Sequence, residues 1–242
     1  RDVLVETVSD EYEMRYQEWV KSRRDYVAKA SDGKIGYVHL SDMMINGLQE
    51  FGRQYYPQAD KHAMILDVRY NGGGNVATML LSELNRKVWS TQRARRGAPR
   101  VRPFSAFYGH YAIICNGETG SDGETFTQGA KMIELGPVFG TRTWGGWVGI
   151  RSDKSLNDKA WFTVPEFTGY GLTGDEKGKW LIEGPGVYPD YEVINDPGSV
   201  LSGKDPQLDA AINYLKKKMK EEPMEIPKDP PAPAKEVNFP KK

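Results

Sequence analysis

The chain has 242 residues, of which 38% are hydrophobic and 11% aromatic, enough for one large or two small domains with a buried core. Its 33 basic and 33 acidic residues cancel to a formal net charge of zero, so we expect neither nucleic acid nor a membrane surface as a partner. One cysteine cannot form an intrachain disulfide, three scattered histidines make no zinc-type cluster, and no apolar run approaches the roughly 18 residues of a membrane span.

The first part of the chain predicts strands that alternate with helices. A short alternating strand is predicted at 2–6, and a capped helix follows over about 10–30. The stretch 34–40 favours a strand, and the stretch 44–56 favours a helix that Pro57 closes. This alternation indicates an α/β protein.

Two regions repeat one pattern, in which a buried strand leads into a glycine-containing turn and a helix. The apolar run 63–69 is the strongest candidate for a central strand, and it is followed by Asn-Gly-Gly-Gly at 71–74 and a helix over about 75–89. The apolar run 111–115 predicts a second buried strand, which leads through another turn to a helix over 126–135.

The segments around these units are less regular. The arginine-rich stretch 93–102 is interpreted as a solvated loop or a subunit contact, with binding of an acidic group as the alternative. Gly, Thr and Trp are frequent over 136–150, which predicts strands joined by tight turns. Further strands are predicted at 161–164 and 187–193.

The C-terminal part predicts a helix and then a tail. Asp205 as the N-cap and Pro206 at the first helical position begin a helix that runs to about residue 220. The high Pro and Lys content beyond it is typical of a disordered or surface-bound segment. We therefore expect one domain over 1–218 and a tail over 219–242.

Ser121 lies in the strand-to-helix turn Asn-Gly-Glu-Thr-Gly-Ser-Asp-Gly-Glu-Thr-Phe, which spans 116–126. A hydroxyl there lies at the positive end of the helix dipole, among N–H groups without intrahelical partners, so negative charge that develops nearby is stabilised. This position suits a nucleophilic serine. The same residues match a capping box, in which Ser121 caps the helix and Glu124 reaches back, so both interpretations stay open on this stretch alone.

The three consecutive glycines at 72–74 let the backbone approach a ligand closely, because glycine readily adopts positive φ. Neither a phosphate-binding loop of the Walker type nor a dinucleotide fingerprint is present, which disfavours nucleotide binding. The other use of such a turn is an oxyanion hole, in which N–H groups point at the oxygen of a tetrahedral intermediate.

Four motifs in a fixed order resemble the tricorn family of serine proteases, and the resemblance extends to about residue 218. It implies the α/β Clp-protease and crotonase-like core of repeated ββα units, in a clan that includes the carboxy-terminal processing proteases. It also implies peptide substrates and a homo-oligomer. The motifs are Asp-Val-Arg-Tyr-Asn-Gly-Gly-Gly (67–74), Gly-Ser-Asp-Gly-Glu (120–124), Gly-Thr-Arg-Thr-Trp-Gly-Gly (140–146) and Ile-Glu-Gly-Pro-Gly-Val-Tyr-Pro-Asp (182–190).

The resemblance assigns roles to four residues. Ser121 matches the family's nucleophile, and the N–H groups of Gly74 and Asp122 match its oxyanion hole. Glu183 matches a glutamate of the charge and hydrogen-bond relay, although without the resemblance an ordinary loop carboxylate is an equal interpretation. This chemistry uses no metal and no other cofactor.

The same resemblance implies a histidine base that lies upstream of a PDZ-like domain. We expect this chain to be a fragment that begins after both, so its partners include upstream domains and the isolated domain is expected to be nearly inactive. His39 matches a structural position of the family, and His62 and His110 precede strands and are expected at the surface.

Two other hypotheses stay open. One is a crotonase-like acyl-CoA enzyme, which shares the fold and the two-amide oxyanion hole but has no serine nucleophile. The other is a non-catalytic peptide-binding or assembly module. The expected location is the cytoplasm, with a periplasmic or exported protein as the alternative.

Overall fold

The computed structural model describes residues 7–151 and 155–231, so the strand predicted at 2–6 lies outside the described residues. The helices within these ranges are α1 (Tyr12–Ala30), α2 (Ile45–Tyr55), α3 (Ala77–Leu84), α4 (Asp122–Met132), α5 (Pro197–Leu201) and α6 (Pro206–Glu221). The strands are β1 (Ile35–His39), β2 (Ala63–Asp67), β3 (Ser90–Gln92), β4 (Arg100–Arg102), β5 (His110–Cys115), β6 (Val138–Gly140), β7 (Gly149–Arg151), β8 (Val164–Phe167) and β9 (Tyr191–Glu192).

Five of these strands form one parallel sheet in the order β1-β2-β5-β6-β9. All residues of β1 and β2 are buried, as expected for central strands of a parallel sheet that is covered on both faces. The structure therefore confirms the predicted α/β class.

Helices cover both faces of the sheet and form two cores. On one face α2, α3 and α4 contribute Phe51, Leu80 and Phe126 to a buried apolar cluster. On the other face α1 and α6 contribute Val27 and Leu215 to a second cluster. The result is a three-layer arrangement of helices, sheet and helices.

The parallel direction brings the carboxyl ends of β2 and β5 together at one edge of the sheet, where Asp67 pairs with Ile114. The glycine turn at 71–74 leaves β2 at this edge, and the turn at 116–121 leaves β5 beside it. Open α/β sheets bind ligands at the carboxyl ends of their strands, so the two predicted turns lie where a site is expected.

The region between α3 and β5 differs from the prediction. Helix α3 ends at Leu84, five residues before the expected end, because the chain turns there into an antiparallel hairpin of β3 and β4. The N–H of Trp89 donates to the carbonyl of Arg102 at 3.0 Å and holds the base of this hairpin. The arginine-rich stretch is therefore partly a β-hairpin and not simply a loop.

Other boundaries shift by a few residues. Helix α4 begins at Asp122, four residues before the predicted start, and β8 begins at Val164, where the predicted strand ends. Helix α6 has the predicted N-cap, since the Asp205 side chain accepts the Leu208 N–H. No helix within residues 7–151 and 155–231 is long and apolar enough to cross a membrane.

Candidate active site

Ser121 lies half-buried at the N-terminus of α4, with φ of 51° and ψ of −122°. A non-glycine residue in such a sparsely populated region costs on the order of 1–3 kcal/mol, and it persists only where its surroundings enforce it. The backbone N–H donates to Glu124 Oε2 at 3.1 Å, which forms the glutamate half of the predicted capping box. The Ser121 side chain faces the Glu124 N–H in the other half of the capping box, and the close hydrogen bond of that N–H is to the Ser121 main-chain carbonyl at 2.9 Å.

The glycine turn that leaves β2 contacts Ser121 directly. A Cβ atom added to Gly73 would lie 2.5 Å from Ser121 Cβ and 3.0 Å from both Ser121 Oγ and the Asp122 nitrogen. Gly73 also has φ of 98°, a conformation that favours glycine. The two predicted turns therefore face one another, and the backbone of one lies against the hydroxyl of the other.

The two predicted amide donors flank this contact. Asp122 is the first residue of α4, where an N–H has no intrahelical partner, and Gly74 is the next residue after Gly73. Neither N–H donates to any residue within the described ranges, whereas the Gly73 N–H donates to Asn71 Oδ1 at 2.9 Å. Two N–H groups without a partner among the described residues therefore lie on residues adjacent to the contact between Gly73 and Ser121.

Asn71 joins the two turns and was not among the predicted site residues. Its side-chain Nδ2 donates to the Leu40 carbonyl at 2.8 Å, and its main-chain carbonyl accepts the Gly120 N–H at 2.8 Å. A Cβ on Gly123 would lie 2.9 Å from Asn71 Oδ1, so a glycine there lets the asparagine pack closely. The position of Asn71, between a buried strand and a glycine run, is the signal that could have indicated it.

The Asp122 side chain provides a second connection between the turns. Its Oδ2 accepts the N–H of Ala77, the first residue of α3, at 2.9 Å. The Asp122 carboxylate therefore binds the N-terminus of α3, and the Asp122 main-chain nitrogen lies near Gly73.

Glu183 lies on an exposed loop and is joined to Ser121 through the 140–148 segment. Its Oε2 accepts the N–H groups of Trp147 and Val148, each at 2.7 Å. The carbonyl of the neighbouring Gly146 accepts the Ser121 N–H at 3.1 Å. One short segment thus contacts both predicted site residues.

The three histidines of the chain lie away from the Ser121 hydroxyl or are engaged elsewhere. His39 is 1% exposed, and hydrogen bonds join its Nδ1 to Tyr16 Oη (2.6 Å) and its Nε2 to the Arg69 carbonyl (3.1 Å). Burial lowers the pKa of His39. His62 and His110 lie at the amino ends of β2 and β5, and a six-residue strand spans roughly 17 Å.

The described residues offer little for other site chemistry. Burial raises the pKa of the Cys115 thiol to about 12, which disfavours a thiolate nucleophile at the end of β5. Within residues 7–151 and 155–231, no three His, Cys, Asp or Glu side chains are grouped to hold a metal ion. Ser121 and the amides around it are therefore the candidate site at this edge of the sheet.

Comparison with known proteins places this chain in a family. The model of peptidase family S41 matches residues 34–193, more than half of the chain. The chain belongs to peptidase family S41. It is 37% identical to the tricorn protease of Thermoplasma acidophilum over 236 residues, covering 95% of this chain and 21% of that protein. It is 35% identical to tricorn protease homolog 1 of Streptomyces coelicolor over 233 residues, covering 94% of this chain and 21% of that protein.

Solved structures agree with this S41 assignment. The crystal structure of the tricorn protease superposes with a TM-score of 0.84 at 38% identity, covering 91% of this chain and 21% of that one. Mature CPAF, with a TM-score of 0.52 and 14% identity over 78% of this chain and 51% of that one, shows the shared fold alone. The S41 chain described here spans about a fifth of the length of the tricorn relatives.

Proposed function

We propose that this chain carries the nucleophile of a serine peptidase, which cleaves peptides through an acyl-enzyme on Ser121. The observation that supports this most is the contact between the two turns. Gly73 lies against the Ser121 hydroxyl, and the N–H groups of Gly74 and Asp122 beside it have no partner among the described residues. A hydroxyl next to two available amides is the arrangement that acyl transfer requires.

In the proposed reaction Ser121 Oγ attacks the carbonyl carbon of the scissile peptide bond, and its proton passes to a histidine outside this chain. The amides of Gly74 and Asp122 donate to the oxyanion of the tetrahedral intermediate. The histidine then gives the proton to the leaving amine, and water hydrolyses the Ser121 ester. Glu183 orients the groups that relay the proton.

The proposed partners follow from the same argument. Peptides are the substrates, and other domains of the same polypeptide supply the histidine, because none of the three histidines here is placed to act on Ser121. Assembly into a homo-oligomer is proposed from the family resemblance.

Substitution of the nucleophile in the complete polypeptide tests this proposal. We expect Ser121→Ala to abolish labelling by a fluorophosphonate probe and to slow peptide hydrolysis by about 10⁴-fold or more. Ser82→Ala on α3, whose hydroxyl donates to the Thr78 carbonyl at 2.8 Å, is the matched control and is expected to retain both activities. Unchanged labelling of Ser121→Ala refutes the assignment.

The competing hypotheses have their own outcomes in this experiment. Turnover of acyl-CoA thioesters without serine labelling indicates a crotonase-like enzyme. A complete polypeptide that binds peptides but neither cleaves them nor reacts with the probe indicates a binding module.

A further inference from the structure

A buried carboxylate that the proposed reaction does not use lies next to Ser121. Glu124 is 0% exposed and accepts four hydrogen bonds from neutral donors. Its Oε1 accepts the Thr143 hydroxyl at 2.5 Å and the Gly145 N–H at 2.7 Å. Its Oε2 accepts the N–H groups of Ser121 and Gly146, each at 3.1 Å.

A capping role explains only part of this arrangement. A glutamate in a capping box accepts the N–H of the N-cap residue, here Ser121, and otherwise faces solvent at little cost. Full burial of a carboxylate costs several kcal/mol, which dense hydrogen bonding must offset. The three donors from 143–146 therefore require an explanation beyond the helix cap.

Glu183 extends the same pattern along the chain. The N–H groups of Gly145 and Gly146 donate to Glu124, and the next two, of Trp147 and Val148, donate to Glu183. Four consecutive amides thus connect a carboxylate on the Ser121 helix with the carboxylate of the proposed relay. We call residues 145–148 the amide bridge.

Other contacts fix the amide bridge at both ends. The Gly145 carbonyl accepts the Gly184 N–H at 2.8 Å, and a Cβ on Gly145 would lie 2.5 Å from the Gly184 oxygen. The Trp147 indole N–H donates to Thr125 Oγ1 of α4 at 2.7 Å. The amide bridge is therefore held between the loop that carries Glu183 and the helix that carries Ser121 and Glu124.

We propose that Glu124 is a positioning residue of the peptidase reaction. It holds the Ser121 backbone in its strained conformation through the Ser121 N–H, and it sets the location of Glu183 through the amide bridge. This inference rests on the proposed function, but its structural part can be tested without catalysis.

Amide exchange measured by NMR on the chain itself tests the bridge. Glu124→Gln replaces an acceptor oxygen with an NH₂ group, so we expect roughly tenfold faster exchange at all four amides of 145–148. Thr127→Val, which removes a different buried hydrogen bond of α4, to the Gly123 carbonyl, is the matched control and leaves these amides unchanged. Unchanged exchange, or acceleration confined to Gly145 and Gly146, overturns the proposal.

Kinetics of the complete polypeptide test the consequence for the reaction. The value of kcat is calculated per fluorophosphonate-reactive site, so that unfolded molecules do not contribute. We expect Glu124→Gln to lower this kcat on the order of 10²-fold. KM is expected to stay within about twofold, because substrate contacts are unchanged. An unchanged kcat per reactive site overturns the positioning role.

A second variant keeps both tests decisive if Glu124→Gln does not fold. Glu124→Asp retains the carboxylate but shortens its reach, and we expect an intermediate loss of kcat, about tenfold, with partial acceleration of exchange. Full activity and native exchange in this variant overturn the proposal. If the wild-type polypeptide is neither labelled nor active, the proposed function fails instead, and the exchange experiment still decides whether the bridge exists.

Discussion

Gly73 determines whether the two turns can meet, because any side chain there would occupy the space of Ser121. We expect Gly73→Ala to lower the rate of fluorophosphonate labelling on the order of 10²-fold, since the added Cβ forces the hydroxyl and the amides apart. The added atom would lie 2.5 Å from Ser121 Cβ, at a backbone φ of 98°. The measurement is the second-order rate constant for labelling of the complete polypeptide.

Gly72 provides the control for this substitution within the same turn. A Cβ on Gly72 meets nothing within 4 Å, and its φ lies outside the left-handed region. We therefore expect Gly72→Ala to label within about twofold of the wild-type rate. Equal losses from both substitutions would indicate that flexibility of the turn, rather than the contact with Ser121, controls reactivity.

The residues of the site were predictable where their signal is local. The turns that contain Ser121 and the glycines at 72–74 could be predicted because each follows a buried apolar strand. The contacts of Asn71 and Glu124 could not be predicted in this way, because their partners lie far along the chain: Leu40 for the asparagine, and Thr143 for the glutamate. A capping box predicts the Glu124 contact with Ser121 but not the contacts that bury its carboxylate.

At the level of elements, Arg69 attaches α6 to the sheet. Its guanidinium is 2% exposed and lies between Asp67 at the end of β2 (2.6 Å) and Asp205 at the start of α6 (3.0 Å). Burial alone would raise the pKa of Asp205, but the charge and hydrogen bonds of Arg69, with a hydrogen bond from Asn195, outweigh it and lower that pKa. The ion pair thus stabilises the edge of the sheet that carries the glycine turn.

Asp205→Asn tests this attachment, because asparagine preserves the N-cap of α6 and removes only the charge. We expect a loss of roughly 3 kcal/mol in the free energy of unfolding at pH 7, since a buried ion pair loses one partner. The measurement is urea denaturation between pH 2 and pH 7, chosen to cover roughly the range in which carboxylates titrate.

The pH dependence gives the sign of the effect. A lowered pKa in the folded state means that the Asp205 contribution is complete above the unfolded pKa of about 3.9 and is lost as the pH falls through the folded value. Wild-type stability should therefore fall more steeply than that of Asp205→Asn below about pH 4. Parallel curves would show that Asp205 does not titrate in a folded ion pair.

Elements that form from their own sequence were predicted well, and those that depend on distant pairing were not. The apolar runs of β1, β2 and β5 and the cap of α6 are local signals. A strand was predicted at 187–193, but β9 has only two residues, Tyr191 and Glu192, because only these pair with β6. The β3–β4 hairpin likewise depends on pairing between two segments. The arginine content of 93–102 predicted a loop there and gave no signal of that pairing.

At the scale of the whole molecule, two unpaired amides lie beside Ser121, and no histidine within residues 7–151 and 155–231 forms a hydrogen bond with its hydroxyl. His39 lies at the correct edge of the sheet, yet both of its ring nitrogens are engaged and its ring is buried. The proposed function takes the base from another domain, and the tricorn relatives are about five times as long as the region that they share with this chain. The histidine of the proposal lies outside this chain, so no sequence pattern within the chain predicts its position.

The isolated chain should therefore fold but react slowly. We expect its fluorophosphonate labelling to be about 10⁴-fold or more slower than that of the complete polypeptide, because the proposed histidine base is then missing. Cooperative thermal unfolding of the isolated chain serves as the control for folding. Equal labelling rates would show that the base lies within this chain and that the proposal of a histidine from another domain is wrong.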